Sequence, residues 1–494
     1  MQRVVCSPKL LLPAFVLLLA CGCSTEKADK NTGSNPTMGA DAATPKADGA
    51  TVPVTVTGPI TGGRGKPFST SIVDLGANGY GEREFFYEGD AIAYALQGEM
   101  TMDGKWTLLE TSKESYKSRM IVRRPTDAAK FNGTVVVEWL NVSGGADGDP
   151  GFMYNWQEIL REGYVWVGVS AQATGIEGGG FSVLPNPPPP LKVHDPERYG
   201  SLRHPGDAYS FDIYTRAAQV VRGASGVDVL DGLEPKRLIA YGESQSAMRL
   251  VSYVNGVHPS VKAFDGFFIH SRSVSGVPFT NDAMLSLGGP PVFIRDDIEA
   301  FVFQFQTETD VLGLLGYLRA RQPDSDRLRT WEVAGTAHAD AYIQGINGDA
   351  GSALACADVN DGPQHFVIKA ALHALHLWMT DGTAPVKGDL LMGNDGSPAT
   401  DDNGNVLGGV RTPDVDVPIA TLSGLAPAGS NILCSLFGHT TPFTPEKLIE
   451  LYPTHETYVM KVKDSARKSA AAKFILEPEE QAMVAEAETA PVPK

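Results

Sequence analysis

Residues 238–250 read Leu238-Ile239-Ala240-Tyr241-Gly242-Glu243-Ser244-Gln245-Ser246-Ala247-Met248-Arg249-Leu250. An apolar run passes directly into a helical pattern through a turn centred on a serine, with Gly242 two residues before it and the small Ser246 two residues after. Bulky side chains at those flanking positions would collide, and such a turn lifts the serine oxygen clear of the backbone. The stretch therefore predicts a nucleophile elbow built on Ser244. Its common form has glycine where this chain has Ser246.

On either side of this point, apolar strand-like runs alternate with longer amphipathic segments, the pattern of a sheet with helical crossovers. Strands are expected at 116–123, 133–140, 164–170, 237–241, 263–270, 300–306 and 328–333, and helices at 153–162, 208–223, 246–255 and 364–379. In the last of these Ile368, Ala371, Leu372, Leu375 and Met379 recur at intervals of three and four. Val135, Val136 and Val137 are apolar in succession, so both faces of that strand need cover. The fold class is α/β, a mostly parallel central sheet with helices on both faces.

A serine hydroxyl needs a base to take its proton and an acid to orient that base. Trp331-Glu332-Val333-Ala334-Gly335-Thr336-Ala337-His338 has a strand ending in a Gly-containing loop that presents His338. His373 and His376 lie within a helical pattern, and His194, His204, His258 and His270 do not fit the chain order serine, acid, histidine that is usual behind an elbow of this kind. His365, His439 and His455 follow no clear strand end. Between nucleophile and base lies Gln306-Thr307-Glu308-Thr309-Asp310, which offers two carboxylates, Glu308 and Asp310.

Together, the elbow at 242–246, the loop at 306–310 and Gly335-Thr336-Ala337-His338 resemble the α/β-hydrolase superfamily, and more closely a bacterial family labelled only as alpha/beta hydrolase domain proteins. The resemblance spans about 58–477 and implies an α/β-hydrolase fold with acyl-transfer chemistry, but no substrate. In many members the acid stands about four residues beyond its strand, which favours Asp310 and leaves Glu308 as the alternative. The fold also implies two oxyanion donors. One is the Gln245 N–H at the helix start; for the other, in the glycine-rich 141–145, Asn141 is the first choice. An esterase-type serine hydrolase acting on small or polymeric esters is the leading expectation. A tethered binding protein that has lost activity, or an amidase or peptidase, remains open.

Composition sets the context. With 41 Lys plus Arg against 58 Asp plus Glu, the net charge of −17 repels phosphate backbones, so nucleic acid is not an expected partner. Neither a metal nor a cofactor is expected. Gly62-Gly63-Arg64-Gly65-Lys66-Pro67 fails as a phosphate loop, because Ile60 and Pro67 stand where Gly and Ser or Thr belong. Asp401-Asp402-Asn403-Gly404-Asn405 lacks the twelfth-position glutamate of an EF-hand, since Thr412 is there, and reads as a hairpin turn.

The first 20 residues have the three-part form of a signal peptide, and Leu18-Leu19-Ala20-Cys21 resembles a bacterial lipobox. Export, with lipidation at Cys21 anchoring the chain to a bacterial membrane on its periplasmic or extracellular face, is the expectation; a plain signal peptide is the alternative, and Cys23 a second lipidation candidate. A disordered tether at 21–55, a hydrolase domain at 56–480 with insertions near 175–207 and 381–437, and a tail at 481–494 complete the expected layout. Cys356 and Cys434 form an even pair in an oxidising compartment, which favours a disulfide over two buried thiols.

Overall fold

A computed structural model describes residues 54–281, 289–347 and 356–492. The signal peptide, the lipidation candidates Cys21 and Cys23 and nearly all of the tether lie outside the described residues. The tether's expected end does not hold, because Thr55 already opens a strand paired with Glu88.

Nine strands form one sheet: β1 (Thr55–Thr57), β2 (Tyr80–Leu96), β3 (Leu108–Pro125), β4 (Thr134–Trp139), β5 (Val165–Val169), β6 (Arg237–Glu243), β7 (Gly266–His270), β8 (Phe301–Thr307) and β9 (Leu328–Val333). Their spatial order is β1-β2-β3-β5-β4-β6-β7-β8-β9. From β5 to β9 every pairing is parallel, whereas β1, β2 and β3 join antiparallel at one margin. Each expected strand is present, within a few residues except that β3 begins eight residues early; β1 and β2 were not expected.

Among the described residues, six helices of eight residues or more accompany the sheet: α1 (Pro150–Glu162), α2 (Ser210–Val221), α3 (Gln245–Ser252), α4 (Gln364–Thr380), α5 (His455–Ala471) and α6 (Glu477–Thr489). Successive residues of one strand serve opposite faces. Val135 and Val137 of β4 pack in one core with Ile213 and Ala217 of α2 and Leu250 of α3. Val136 packs in the other with Ile159 of α1 and Ile368, Leu372 and Leu375 of α4. That two-sided burial is why the central strands carry no polar alternation.

Two expected boundaries change. The helix α6 runs across residue 480 and buries Met483 and Ala487, so the expected tail from 481 is helical through Thr489. Within 175–207, expected as loop, single helical turns form at Leu191–His194 and Pro196–Tyr199. The latter starts at a proline in the first turn and is capped by Asp195, whose side chain accepts from the Arg198 N–H. Residues 381–437 hold a short hairpin (Gly393–Asn394 with Ser397–Pro398) and a strand, Ala420–Ser423, that pairs with His439–Pro442. The turn at 401–405 is closed by Thr400 and Val406, bridged antiparallel. Cys356 and Cys434 are disulfide-bonded, 5.5 Å apart at Cα.

Candidate active site

The C-terminal ends of parallel strands are where an α/β sheet presents its loops. At the end of β6, Ser244 adopts φ 58° and ψ −117°, a left-handed region that costs a non-glycine residue on the order of 1–3 kcal/mol. Its surroundings hold it there. Ser244 N–H donates to the His270 carbonyl on neighbouring β7 (2.9 Å), and its own carbonyl accepts from Met248 N–H in α3 (3.1 Å). A Cβ at Gly242 would come within 2.8 Å of the Ser246 backbone, which explains the glycine two residues ahead of the serine.

From the end of β9 comes His338, its Nε2 2.8 Å from Ser244 Oγ and its Nδ1 2.7 Å from Asp310 Oδ1. Asp310 leaves β8 in the first turn of a short helix, Glu308–Leu312, inside a capping box: Thr307 Oγ1 accepts from Asp310 N–H (3.3 Å) and Asp310 Oδ2 accepts from Thr307 N–H (2.7 Å). One carboxylate oxygen is thus fixed by backbone while the other faces the imidazole. Thr309 Oγ1 accepts from His338 N–H (3.1 Å) and donates to the Gly424 carbonyl (2.5 Å). A Cβ at Gly424 would lie 2.5 Å from Thr309 N, so the 381–437 region buttresses the acid's loop. Glu308 points elsewhere, toward Ser423 Oγ at 3.3 Å from Oε1, and burial pushes its carboxyl up to about 7.

Asn141 departs from expectation. Its N–H donates to the Gly148 carbonyl (2.9 Å) and its carbonyl accepts from Gly148 N–H (2.8 Å), an antiparallel bridge that leaves no backbone donor for an oxyanion. Its side-chain amide donates to the Glu243 carbonyl (3.0 Å) and to Glu243 Oε2 (2.9 Å). Asn141 is therefore a holder of Glu243, and the second-donor assignment is corrected. The Gln245 N–H, at the first position of α3, has no intrahelical partner by virtue of that position.

Glu243 is the site residue that the sequence reading left without a role. It is buried beside the serine, with Oε1 3.5 Å from His338 Nε2. Burial pushes its carboxyl up to about 7, with the His338 charge pulling the other way. For His338, burial disfavours the charged ring, but the charge and hydrogen bond of Asp310 and the charge of Glu243 outweigh it, so the histidine is raised from its ordinary value. An acidic residue directly before the nucleophile was the available signal; what it faces depends on a neighbouring strand. Among the described residues, no three His, Cys, Asp or Glu are grouped so as to hold a metal.

Ser244 and His338 open onto a cavity of about 560 Å³. Its walls come from the 141–150 loop, from 181–188, from Leu314 and Leu315, and from Leu433, Leu436 and Phe437 around the turn that carries Cys434.

The chain belongs to the family described as alpha/beta hydrolase domain, which matches residues 56–485. Solved structures similar to it include XC6422 from Xanthomonas campestris, an a/b serine hydrolase without lid, at 13% identity over 54% of this chain and 94% of that one, with a TM-score of 0.28. The esterase Est22 matches at 14% identity over 57% and 81%, TM-score 0.30, and the glucuronoyl esterase from Solibacter usitatus at 10% over 58% and 82%, TM-score 0.29. No curated protein sequence matches the chain.

Proposed function

We propose that this chain is a serine hydrolase that cleaves carboxylic esters through an acyl-enzyme formed on Ser244. The observation that carries the reading is the unbroken contact from Ser244 Oγ to His338 Nε2 (2.8 Å) and from His338 Nδ1 to Asp310 Oδ1 (2.7 Å). Asp310 holds the proton on Nδ1, which leaves Nε2 free to accept the hydroxyl proton as Ser244 Oγ attacks the ester carbonyl. Negative charge on the carbonyl oxygen is met by the Gln245 N–H and the positive end of α3. Collapse of that intermediate breaks the C–O bond, and His338 returns the proton to the departing alcohol. Water then attacks the acyl-serine with His338 again as base, releasing the acid and restoring Ser244.

The test is covalent labelling. A fluorophosphonate probe should mark the protein at Ser244, and Ser244→Ala should abolish both labelling and p-nitrophenyl acetate hydrolysis. Turnover that survives in Ser244→Ala would sink the proposal.

Export and a lipid anchor at Cys21 belong to the same reading. They are supported by the lipobox-like Leu18-Leu19-Ala20-Cys21 and by a disulfide suited to an oxidising compartment. Fatty-acid labelling in a bacterial host should be lost in Cys21→Ser; persistence would point to Cys23.

A further inference from the structure

We infer that the ester cleaved at Ser244 is neutral and carries a bulky apolar group, and that esters bearing a carboxylate are rejected. This rests on the hydrolase reading above and adds the substrate's chemistry to it. At about 560 Å³ the cavity lies within the range of pockets that engulf a whole small molecule. Three separate parts of the chain line it with hydrocarbon: Phe181 and Leu184 from one segment, Leu315 after β8, and Leu436 and Phe437 from the disulfide-bearing turn. Phe181 is also 56% exposed, so the apolar lining continues out to solvent and an entering group meets hydrocarbon from the start.

The lining's charges point the same way. Among the described residues no lysine or arginine lines the cavity; the acidic and basic side chains that do are Asp147, Glu243 and His338. The charge of Asp147 is already met by a buried cation, because Arg119 Nη2 donates to its Oδ2 (3.0 Å), as does Ser170 Oγ (2.5 Å), while its Oδ1 is buried without a hydrogen bond. His338 is engaged by Asp310 and Ser244. A carboxylate on the substrate would lose its water without gaining a cation, and would face the carboxyl group of Glu243 beside the serine. A neutral chain or ring would release ordered water from both surfaces instead.

The experiment compares kcat/KM of the purified protein on p-nitrophenyl acetate, octanoate and benzoate and on the anionic p-nitrophenyl hemisuccinate. The octanoate or the benzoate should exceed the acetate by about tenfold or more, and the hemisuccinate should fall at least tenfold below the acetate. A hemisuccinate rate equal to the acetate rate, or acetate as the best substrate, overturns the inference while leaving the hydrolase reading intact. Absence of both turnover and fluorophosphonate labelling overturns the hydrolase reading and this inference with it. The variant Phe181→Lys places a cation at an exposed position of the lining where folding is not at risk. It should raise the hemisuccinate-to-octanoate ratio about tenfold, and an unchanged ratio counts against the inference.

Discussion

The three proposed reacting groups and the wall of the cavity they open onto are built differently. Ser244, Asp310 and His338 each sit within a few residues of the end of a parallel strand, fixed by backbone hydrogen bonds to the next strand or turn. The wall is assembled from segments outside the sheet, and one of them, Ile432–Leu436, is tied by a disulfide and by single backbone bonds. Ala339 N–H donates to the Leu436 carbonyl (2.9 Å) and Asn360 N–H to the Phe437 carbonyl (2.9 Å). On the proposed function, the reacting groups are thus held mainly by the sheet, with Gly424 packed against the acid's loop, whereas the surface offered to the substrate is held mainly by segments outside it.

The largest expected effect falls on the sheet side. Asp310→Asn should cut kcat by about 10⁴-fold, because the amide no longer holds the tautomer with Nε2 free, as in serine proteases. Glu308→Gln, which alters a carboxyl that does not touch His338, should leave kcat within a few-fold of the parent. Equal losses in the two variants would show that the acid's loop acts as one unit, and a loss confined to Glu308→Gln that the chosen carboxylate is wrong.

An intermediate effect falls on the wall. The Cys356–Cys434 bond closes a loop with a sequence separation of 78, for which chain entropy gives a contribution of about 4 kcal/mol, with less often realised. Cys434→Ser should lower Tm by several degrees and raise KM several-fold for the octanoate, through Leu433, Leu436 and Phe437, with kcat on the acetate little changed. A drop in kcat on both substrates with KM unmoved would instead mean that the wall positions His338, through the Ala339 bond to Leu436.

This division also sets what could be read from the residues alone. The elbow, His338 and the parallel strands were legible because each depends on local pattern: apolar runs buried on two faces, and a serine between small residues at a strand end. The strand β2 was not, because Glu82, Arg83, Glu84, Glu88 and Asp90 interrupt its alternation. The buried Glu84 becomes acceptable only against Arg119 (2.9 Å) and Arg198 (2.5 Å), which lie 35 and 114 residues away in sequence. Asn141 misled for a similar reason: a glycine-rich loop after the right strand is a local signal, but the bridge to Gly148 that consumes its N–H is not. Asp310 was favoured over Glu308 by its distance beyond the strand; what aims it at His338 is the capping box at Thr307, which ties its other oxygen to the backbone.

The smallest effect tests where sheet-held chemistry is tuned. Around His338 the facing ionisable groups are Asp310 from the end of β8, Glu243 from the end of β6 and the buried His270 from β7, whose ring is held neutral by its burial. Hydrolysis needs Nε2 unprotonated, so kcat/KM falls as pH drops through the titration of His338. Ionised Glu243 favours the imidazolium and so raises that titration; neutralising it removes one raising influence while Asp310 remains. Glu243→Gln should therefore move the acid limb of the kcat/KM profile to lower pH, by an amount on the order of half to one unit. The amide keeps the shape of the side chain and its contact with Asn141, so the plateau rate at high pH should change far less than in Asp310→Asn. Because Glu243, its carboxyl pushed up to about 7, is coupled to His338, the parent's limb belongs to the pair and should be shallower than the single-proton limb of the variant, since protonating Glu243 removes a charge that favours the imidazolium. A limb that stays in place, or moves to higher pH, would mean that Glu243 is already protonated where the histidine titrates and only packs beside it.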